Sequence, residues 1–271
     1  MAEHGASRVS LARCNFGDMP RPRCLAALLV PLLALGTLAF RAAPITVWLA
    51  GDSTMAPKAA DKRPETGWGE ALAECFAPSR VRVANHAMNG RSTRSFVAEG
   101  RWAAIVDSLQ AGDYVFIQFG HNDEKVNTDR GATPEVYADN LARFVDDIRT
   151  RKATPVLLTP VTRRSFTDGR LVDSHGLYPE AVRATAARKR VALIDMHRTS
   201  MRLVERLGAD SSRALWLHLD SARHVNYPRG VRDDTHFNPD GARAMAGLAI
   251  DAIRAIPLDL RDHLQSCAAR P

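Results

Sequence analysis

Cysteine is scarce in this 271-residue chain, and its spacing suits neither metal nor redox chemistry. The four cysteines, Cys14, Cys24, Cys75 and Cys267, form no CxxC pair, so a structural zinc or a thioredoxin-like motif is not indicated. No HExxH occurs, which removes the zinc-protease helix. No GxSxG occurs either, which removes the nucleophile elbow of the α/β-hydrolase type. Lysine is nearly absent, with five among 37 basic residues. The net charge of +7 and pI near 9.6 are therefore carried by scattered arginines, not by a basic helix. With no zinc-finger spacing and no aromatic–basic strand motif, nucleic acid is not the expected partner. An arginine-rich solvated surface or a polyanionic substrate would each account for the charge. There is no internal repeat, no low-complexity tract and no second domain boundary.

With 45% hydrophobic and 25% charged residues, the chain has ordinary globular proportions and a length suited to one sizeable domain. Leu25 to Phe40 is an apolar run preceded by Arg21 and Arg23 and followed by small residues. That is the layout of a secretory signal with cleavage near Ala39 to Ala43, so residues 1–43 are read as a signal-peptide region. The run is short for a retained membrane anchor and contains Pro31 and Gly36. Met19, followed by Pro-Arg-Pro-Arg-Cys, makes a better n-region than residues 1–18 and reads as the true start. Removing residues 1–39 leaves 33 basic against 28 acidic residues, so the basic tendency persists at +5. The expected organisation is a signal region, a domain over 44–258 and a C-terminal tail over 259–271. The expected location is secreted or periplasmic, with no integral membrane domain. Cys75 and Cys267 remain after cleavage, either as a bridge tethering the tail to an early helix or as two buried thiols.

Short apolar runs alternate with longer helical patterns. Ile45 to Ala50, Val81 to Asn85, Tyr114 to Phe119, Pro155 to Leu158 and Val191 to Ile194 read as strands, nearly continuous in apolar character as strands buried on both faces should be. Thr133 and Pro134 open a helix whose apolar face is Val136, Tyr137, Leu141, Phe144, Val145 and Ile148. Asn238 and Pro239 open another, with Met245, Leu248, Ala249, Ala252 and Ile253 inward. Five strands with intervening helices predict an α/β fold with an open parallel sheet, helices on both faces and a site beyond the carboxyl ends of the strands. The long polar connection from Arg163 to Pro179 is a candidate substrate loop.

Three strands deliver small polar signatures to that edge: Gly51-Asp52-Ser53-Thr54, then Asn89-Gly90-Arg91-Ser92, then Gly120-His121-Asn122-Asp123. A serine there needs a neighbouring base, and the base needs an acid on its other nitrogen. Asp233 and His236, three apart on a loop before the last helix, can supply both. His121 is the competing base, but no acid stands at matching spacing, and it reads as a structural loop histidine. The backbone N–H groups of Ser53 and Gly90 with the side chain of Asn122 could make an oxyanion hole. Asp52 and Asp123 read as structural loop acids.

Each block is weak alone, but their order and conjunction resemble the SGNH (GDSL-like) hydrolase superfamily. The longer strings resemble rhamnogalacturonan acetylesterases: Leu49-Ala50-Gly51-Asp52-Ser53-Thr54-Met55, Gly67-Trp68-Gly69, Gly90-Arg91-Ser92, Phe119-Gly120-His121-Asn122-Asp123, Arg163-Arg164-x-Phe166, His175-Gly176-x-Tyr178-Pro179 and Asp233-Asp234-Thr235-His236-Phe237. The resemblance spans roughly residues 45 to 255. It implies a flavodoxin-like three-layer α/β/α sandwich, Ser53 as nucleophile, His236 as base and then acid, Asp233 as its orienter, and Ser53, Gly90 and Asn122 as the oxyanion hole. It implies no metal and no organic cofactor. The implied reaction is hydrolysis of acetyl esters on a pectic polysaccharide. An esterase or lipase acting on other acyl esters and a non-catalytic glycan-binding protein on the same scaffold are the alternatives. Substrate-binding residues are not assigned by the sequence.

Overall fold

A computed structural model describes residues 44–267, and the leader expected over 1–43 and the last four residues of the expected tail lie outside the described residues. The five expected strands are present as β1 (Ile45–Gly51), β2 (Val81–Asn85), β3 (Tyr114–Gln118), β4 (Thr154–Leu158) and, after two short strands, β7 (Ala192–Ile194). Those short strands, β5 (Phe166–Thr167) and β6 (Arg170–Leu171), pair as a small hairpin. The five pair in parallel in the order β2-β1-β3-β4-β7. The chain leaves β1 in one direction to β2 and crosses back to β3 on the other side. That reversal opens a crevice at the carboxyl ends of β1 and β3, where flavodoxin-like sheets place their ligands.

The apolar strands bury both faces. Val47, Leu49, Tyr114, Phe116, Val156 and Leu158 point to one core, and Trp48, Ala50, Val115, Ile117 and Leu157 to the other. The first core is covered by α1 (Trp68–Ala73), α6 (Met196–Ser211) and α7 (Pro239–Ala255), through Leu72, Val204, Met245 and Ala249. The second is covered by α2 (Thr93–Ala98), α3 (Arg101–Ser108), α4 (Pro134–Thr150) and α5 (Tyr178–Lys189). Thr133 caps α4 and Asn238 caps α7, with Oδ1 of Asn238 accepting from Gly241 N–H at 2.9 Å. One expectation fails in α4: Val136 is 46% exposed. It sits in the first turn beside Tyr137, which turns inward and donates its hydroxyl to the Phe119 carbonyl at 2.9 Å.

The second departure concerns the segment holding Asp233 and His236. It is not a loop but the strand β9 (Val231–Phe237), paired antiparallel with β8 (Trp216–Leu219) outside the main sheet. Polar, exposed alternation in Val231-Arg232-Asp233-Asp234-Thr235 conceals a strand that buries only its end, Phe237, against Trp216. The segment expected as a tail packs on the domain: Leu260 is fully buried, Leu264 bridges to Phe76, and Cys267 is disulfide-bonded to Cys75. No helix among the described residues is long and apolar enough to cross a membrane.

Candidate active site

Past the end of β1 the chain turns sharply, with the Met55 and Ala56 N–H groups both donating to the Asp52 carbonyl. The Asp52 carboxylate fastens this turn. Oδ1 accepts from the Thr54 N–H and hydroxyl at 3.0 and 2.8 Å, and Oδ2 faces His121 Nδ1 at 3.2 Å. Burial pushes the Asp52 carboxyl up, but the His121 and Thr54 contacts outweigh it and bring the pKa to about 2. Burial likewise drives His121 down, to about 4 against the pull of Asp52, so its ring is neutral at neutral pH. His121 is therefore engaged with Asp52 beneath the cleft, not with Ser53.

A buried lysine holds the same turn from the other side. Lys58 Nζ donates to the Ser53 carbonyl at 2.5 Å and to Asn89 Oδ1 at 2.8 Å, and pairs with Glu65 at 2.8 Å. This ties the serine turn to the segment bearing Gly90. A third tie comes from Asp123, whose Oδ1 accepts from the Thr93 N–H and hydroxyl at 2.9 and 2.6 Å, locking the start of α2 to the end of β3. Its Oδ2 is buried without a partner among the described residues, and burial raises the carboxyl to about 7.

These supports bring together Ser53, Gly90, Asn122, Asp233 and His236 on one cleft. His236 Nε2 lies 2.8 Å from Ser53 Oγ, and His236 Nδ1 lies 2.7 Å from Asp233 Oδ2. Asp233 Oδ1 also accepts from the Thr235 and His236 N–H groups at 2.8 and 2.9 Å. Partial burial pushes the Asp233 carboxyl up, but the bonds from His236 and Thr235 prevail and hold it at about 2. Asp234 points the other way, accepting from Arg164 and His218, each at 2.9 Å. The serine hydroxyl can thus hand its proton to a ring whose far nitrogen is held by a carboxylate.

Gly90 and Asn122 stand on the same cleft as Ser53. Gly90 has φ of +75°, a backbone conformation that strains any residue with a side chain. Asn122 donates Nδ2 to the Arg91 carbonyl at 3.0 Å while its Oδ1 accepts from Lys125 Nζ at 3.1 Å. That fixes the amide and leaves one Nδ2 hydrogen unused. The N–H groups of Ser53 and Gly90 donate to no other group among the described residues. Two N–H groups and one hydrogen of the Asn122 amide are thus unused on the cleft that holds Ser53.

The cleft is about 390 Å³ and is also lined by Lys62, Lys125, Arg130 and Tyr227, none of which the sequence analysis nominated. A roomier groove of about 570 Å³ lies on the opposite face of the β8–β9 hairpin among Arg164, Arg213, His218 and Arg232, but it contains no nucleophile. The expected substrate loop is not part of the cleft wall. Arg163 pairs with Glu124, Arg164 is buried against Asp234, and His175 is buried between Glu124 and the Val161 carbonyl. Arg163, Arg164 and His175 turn inward to partners, which a polar sequence does not reveal.

The chain matches the model of the GDSL-like Lipase/Acylhydrolase family over residues 49–244. It is 41% identical over 225 residues to the rhamnogalacturonan acetylesterase RhgT of Bacillus subtilis, covering 82% of this chain and 95% of that protein. It is 32% identical over 247 residues to a rhamnogalacturonan acetylesterase of Emericella nidulans, covering 81% and 89%. Among solved structures, protein YXIM of Bacillus subtilis superimposes with a TM-score of 0.67 at 24% identity, covering 79% of this chain and 57% of that one. A catalytic mutant of Axe2, an acetylxylan esterase from Geobacillus stearothermophilus, gives 0.54 at 18% identity, covering 78% and 93%.

Proposed function

The chain belongs to the GDSL-like lipase/acylhydrolase family, and on that premise we propose that it is a serine esterase that removes acetyl groups from a plant cell-wall polysaccharide, pectic rhamnogalacturonan. The observation that carries this reading is the continuous Ser53–His236–Asp233 linkage on a cleft shared with Gly90 and Asn122. Relatives covering most of the chain and named for that reaction support the substrate.

In the proposed cycle Ser53 Oγ attacks the acetyl carbonyl carbon as His236 Nε2 takes its proton. The imidazolium is held by Asp233, which stays ionised down to about pH 2. Negative charge on the carbonyl oxygen meets the N–H groups of Ser53 and Gly90 and the Nδ2 of Asn122. When the ester C–O bond breaks, His236 gives its proton to the departing sugar oxygen. Water then attacks the acetyl–Ser53 ester, His236 again takes the proton, and acetate leaves as Ser53 Oγ recovers it. The reaction needs no redox step.

The cleft bears on the alternatives. Leu217, Val231 and the Tyr227 ring are its apolar lining beside Lys62, Lys125 and Arg130, a poor seat for a long acyl chain. A glycan-binding protein would have no use for a serine hydroxyl aimed at a carboxylate-backed imidazole. We also propose export: the apolar run Leu25 to Phe40 has the layout of a secretory signal. The Cys75–Cys267 bridge suits an oxidising compartment.

The test is acetate release from acetylated rhamnogalacturonan, acetylated xylan and a medium-chain nitrophenyl ester by wild type and Ser53→Ala. Wild type should favour the first, and the folded variant should be inactive on all three. Turnover by Ser53→Ala would remove the nucleophile, and preference for the medium-chain ester would remove the substrate.

A further inference from the structure

The loop between β3 and α4 carries two exposed cations, Lys125 and Arg130, neither with a carboxylate partner among the described residues. The loop folds back on itself. Thr128 N–H donates to the Lys125 carbonyl at 3.0 Å, Gly131 N–H to the Thr128 carbonyl at 2.9 Å, and Ala132 N–H to the Asp123 carbonyl at 2.9 Å. Gly131 permits this, because a Cβ there would stand 2.3 Å from the Lys125 carbonyl oxygen. Both cations thereby reach the cleft that holds Ser53.

Each cation touches one oxyanion-hole residue from behind. Lys125 Nζ donates to Asn122 Oδ1 at 3.1 Å, and an Arg130 Nη donates to the Gly90 carbonyl at 3.2 Å. An ammonium has three donors and a guanidinium five, so two remain on Lys125 and four on Arg130. The acids lining the cleft do not neutralise them, since Glu65 is paired with Lys58 and Asp233 with His236. An acetyl ester is neutral, and the proposed oxyanion donors are uncharged N–H groups, so the deacetylation itself calls for neither cation. A planar, bidentate anion on the same substrate would match the unused guanidinium fork.

We infer that Lys125 and Arg130 form a carboxylate-reading pair that selects a uronic acid in the acetylated substrate, an inference that rests on the polysaccharide-esterase reading above. The pair sets specificity by touching substrate. It also positions Asn122 and Gly90, so carboxylate recognition and the oxyanion hole share the same side chains. A neutral sugar in its place leaves the cations in water at no cost, so the device is a gain for acidic substrates, not a barrier against neutral ones.

The test compares an acetylated rhamnogalacturonan oligosaccharide with the same material after its carboxyl groups are reduced to alcohols. 4-Nitrophenyl acetate reports the chemistry without a sugar. For wild type at low ionic strength, kcat/KM should be about 10-fold higher on the acidic oligosaccharide, mainly through KM, and the ratio should shrink with salt. The double variant Lys125→Gln/Arg130→Gln should bring the ratio near one, whereas Lys125→Arg/Arg130→Lys should keep most of it. A loss on 4-nitrophenyl acetate reports the disturbed oxyanion donors and cancels in the ratio. A wild-type ratio of one, or a ratio unchanged in the Gln double variant, overturns the inference. Failure of the substrate reading has a different signature: wild type cleaves 4-nitrophenyl acetate but neither oligosaccharide, and the inference then falls with it.

Discussion

Two adjacent acids on β9 are expected to behave oppositely when each is replaced by its amide. The Asp233 carboxylate accepts three hydrogen bonds, from the Thr235 and His236 N–H groups and from His236 Nδ1. In Asp233→Asn the amide oxygen can keep the two backbone bonds, which turns the NH₂ group toward Nδ1. The ring must then carry its proton on Nε2, where it faces Ser53 Oγ and cannot accept from it. The imidazolium of the transition state also loses its anion. By analogy with the serine proteases, kcat should fall by up to ~10⁴-fold, about 5.5 kcal/mol of transition-state stabilisation. KM should change little, because the acid touches no substrate.

Asp234→Asn removes charge from a different place. Asp234 is about half exposed and faces the buried guanidinium of Arg164, which keeps the Ser212 hydroxyl and the Ala209 carbonyl as partners. Solvent screening reduces the loss to about 1 kcal/mol of stability, and kcat should stay within about 3-fold of wild type. The assay is kcat on one acetyl ester near neutral pH, with circular dichroism confirming the fold and urea midpoints giving stability. Greater damage in Asp234→Asn would mean that the orienting acid is the neighbour. Near-wild-type rates in both variants would mean that Ser53 and His236 work without a carboxylate.

Asn122→Ala removes one oxyanion donor and should lower kcat about 10²- to 10³-fold with KM nearly constant; a defect confined to KM would make Asn122 a ground-state binder. Asp123 is buried with its carboxyl raised to about 7 from 3.8, so its contribution is full below pH 4 and is lost as pH rises through 7. Asp123→Asn should therefore flatten the decline in stability between about pH 4 and 7, read from urea midpoints, and a parallel decline in both proteins would refute it. Cys267→Ser opens a tether between residues 192 apart and should cost about 2–5 kcal/mol of unfolding free energy in guanidinium. An unchanged midpoint would show that the bridge constrains nothing.

The sheet was legible because strands buried on both faces cannot hide: Val47 to Ala50 and Val115 to Ile117 are apolar at every position, and their bounds were right to within a residue or two. The Asp233–His236 segment was misread as a loop because β9 is half exposed and polar, so its strand character comes from pairing with β8, not from composition. Val136 was misplaced for the opposite reason: an apolar residue at helical spacing still falls outside the stripe when it opens the first turn. Of the supports of the site, Asp52, Asp123 and His121 were read as structural loop residues, but the buried Lys58 was missed. A signal existed in the rarity of lysine, since Lys58, Lys62 and Lys125, three of the five in an arginine-rich chain, stand around Ser53. Lys58 shows why arginine would not serve there: a compact ammonium with three rotatable donors meets three acceptors in a fully buried space.

The misassigned loop from Arg163 to Pro179 has a place in the same logic. Ser53 is carried by β1 in the main sheet, while Asp233 and His236 are carried by a two-stranded hairpin outside it, so the 2.8 Å contact between them depends on how the hairpin is anchored. A two-stranded hairpin has little stability of its own. It is held at one end by Phe237 and Trp216, both buried in the first core, with the Phe237 carbonyl accepting from Thr66 N–H at 2.9 Å. Across its middle it is held by Arg164, whose N–H donates to the Asp234 carbonyl at 2.9 Å and whose guanidinium reaches the Asp234 carboxylate. The polar connection is therefore a buttress for β9, not a wall of the cleft. Its arginine is spent on keeping the histidine in register with the serine.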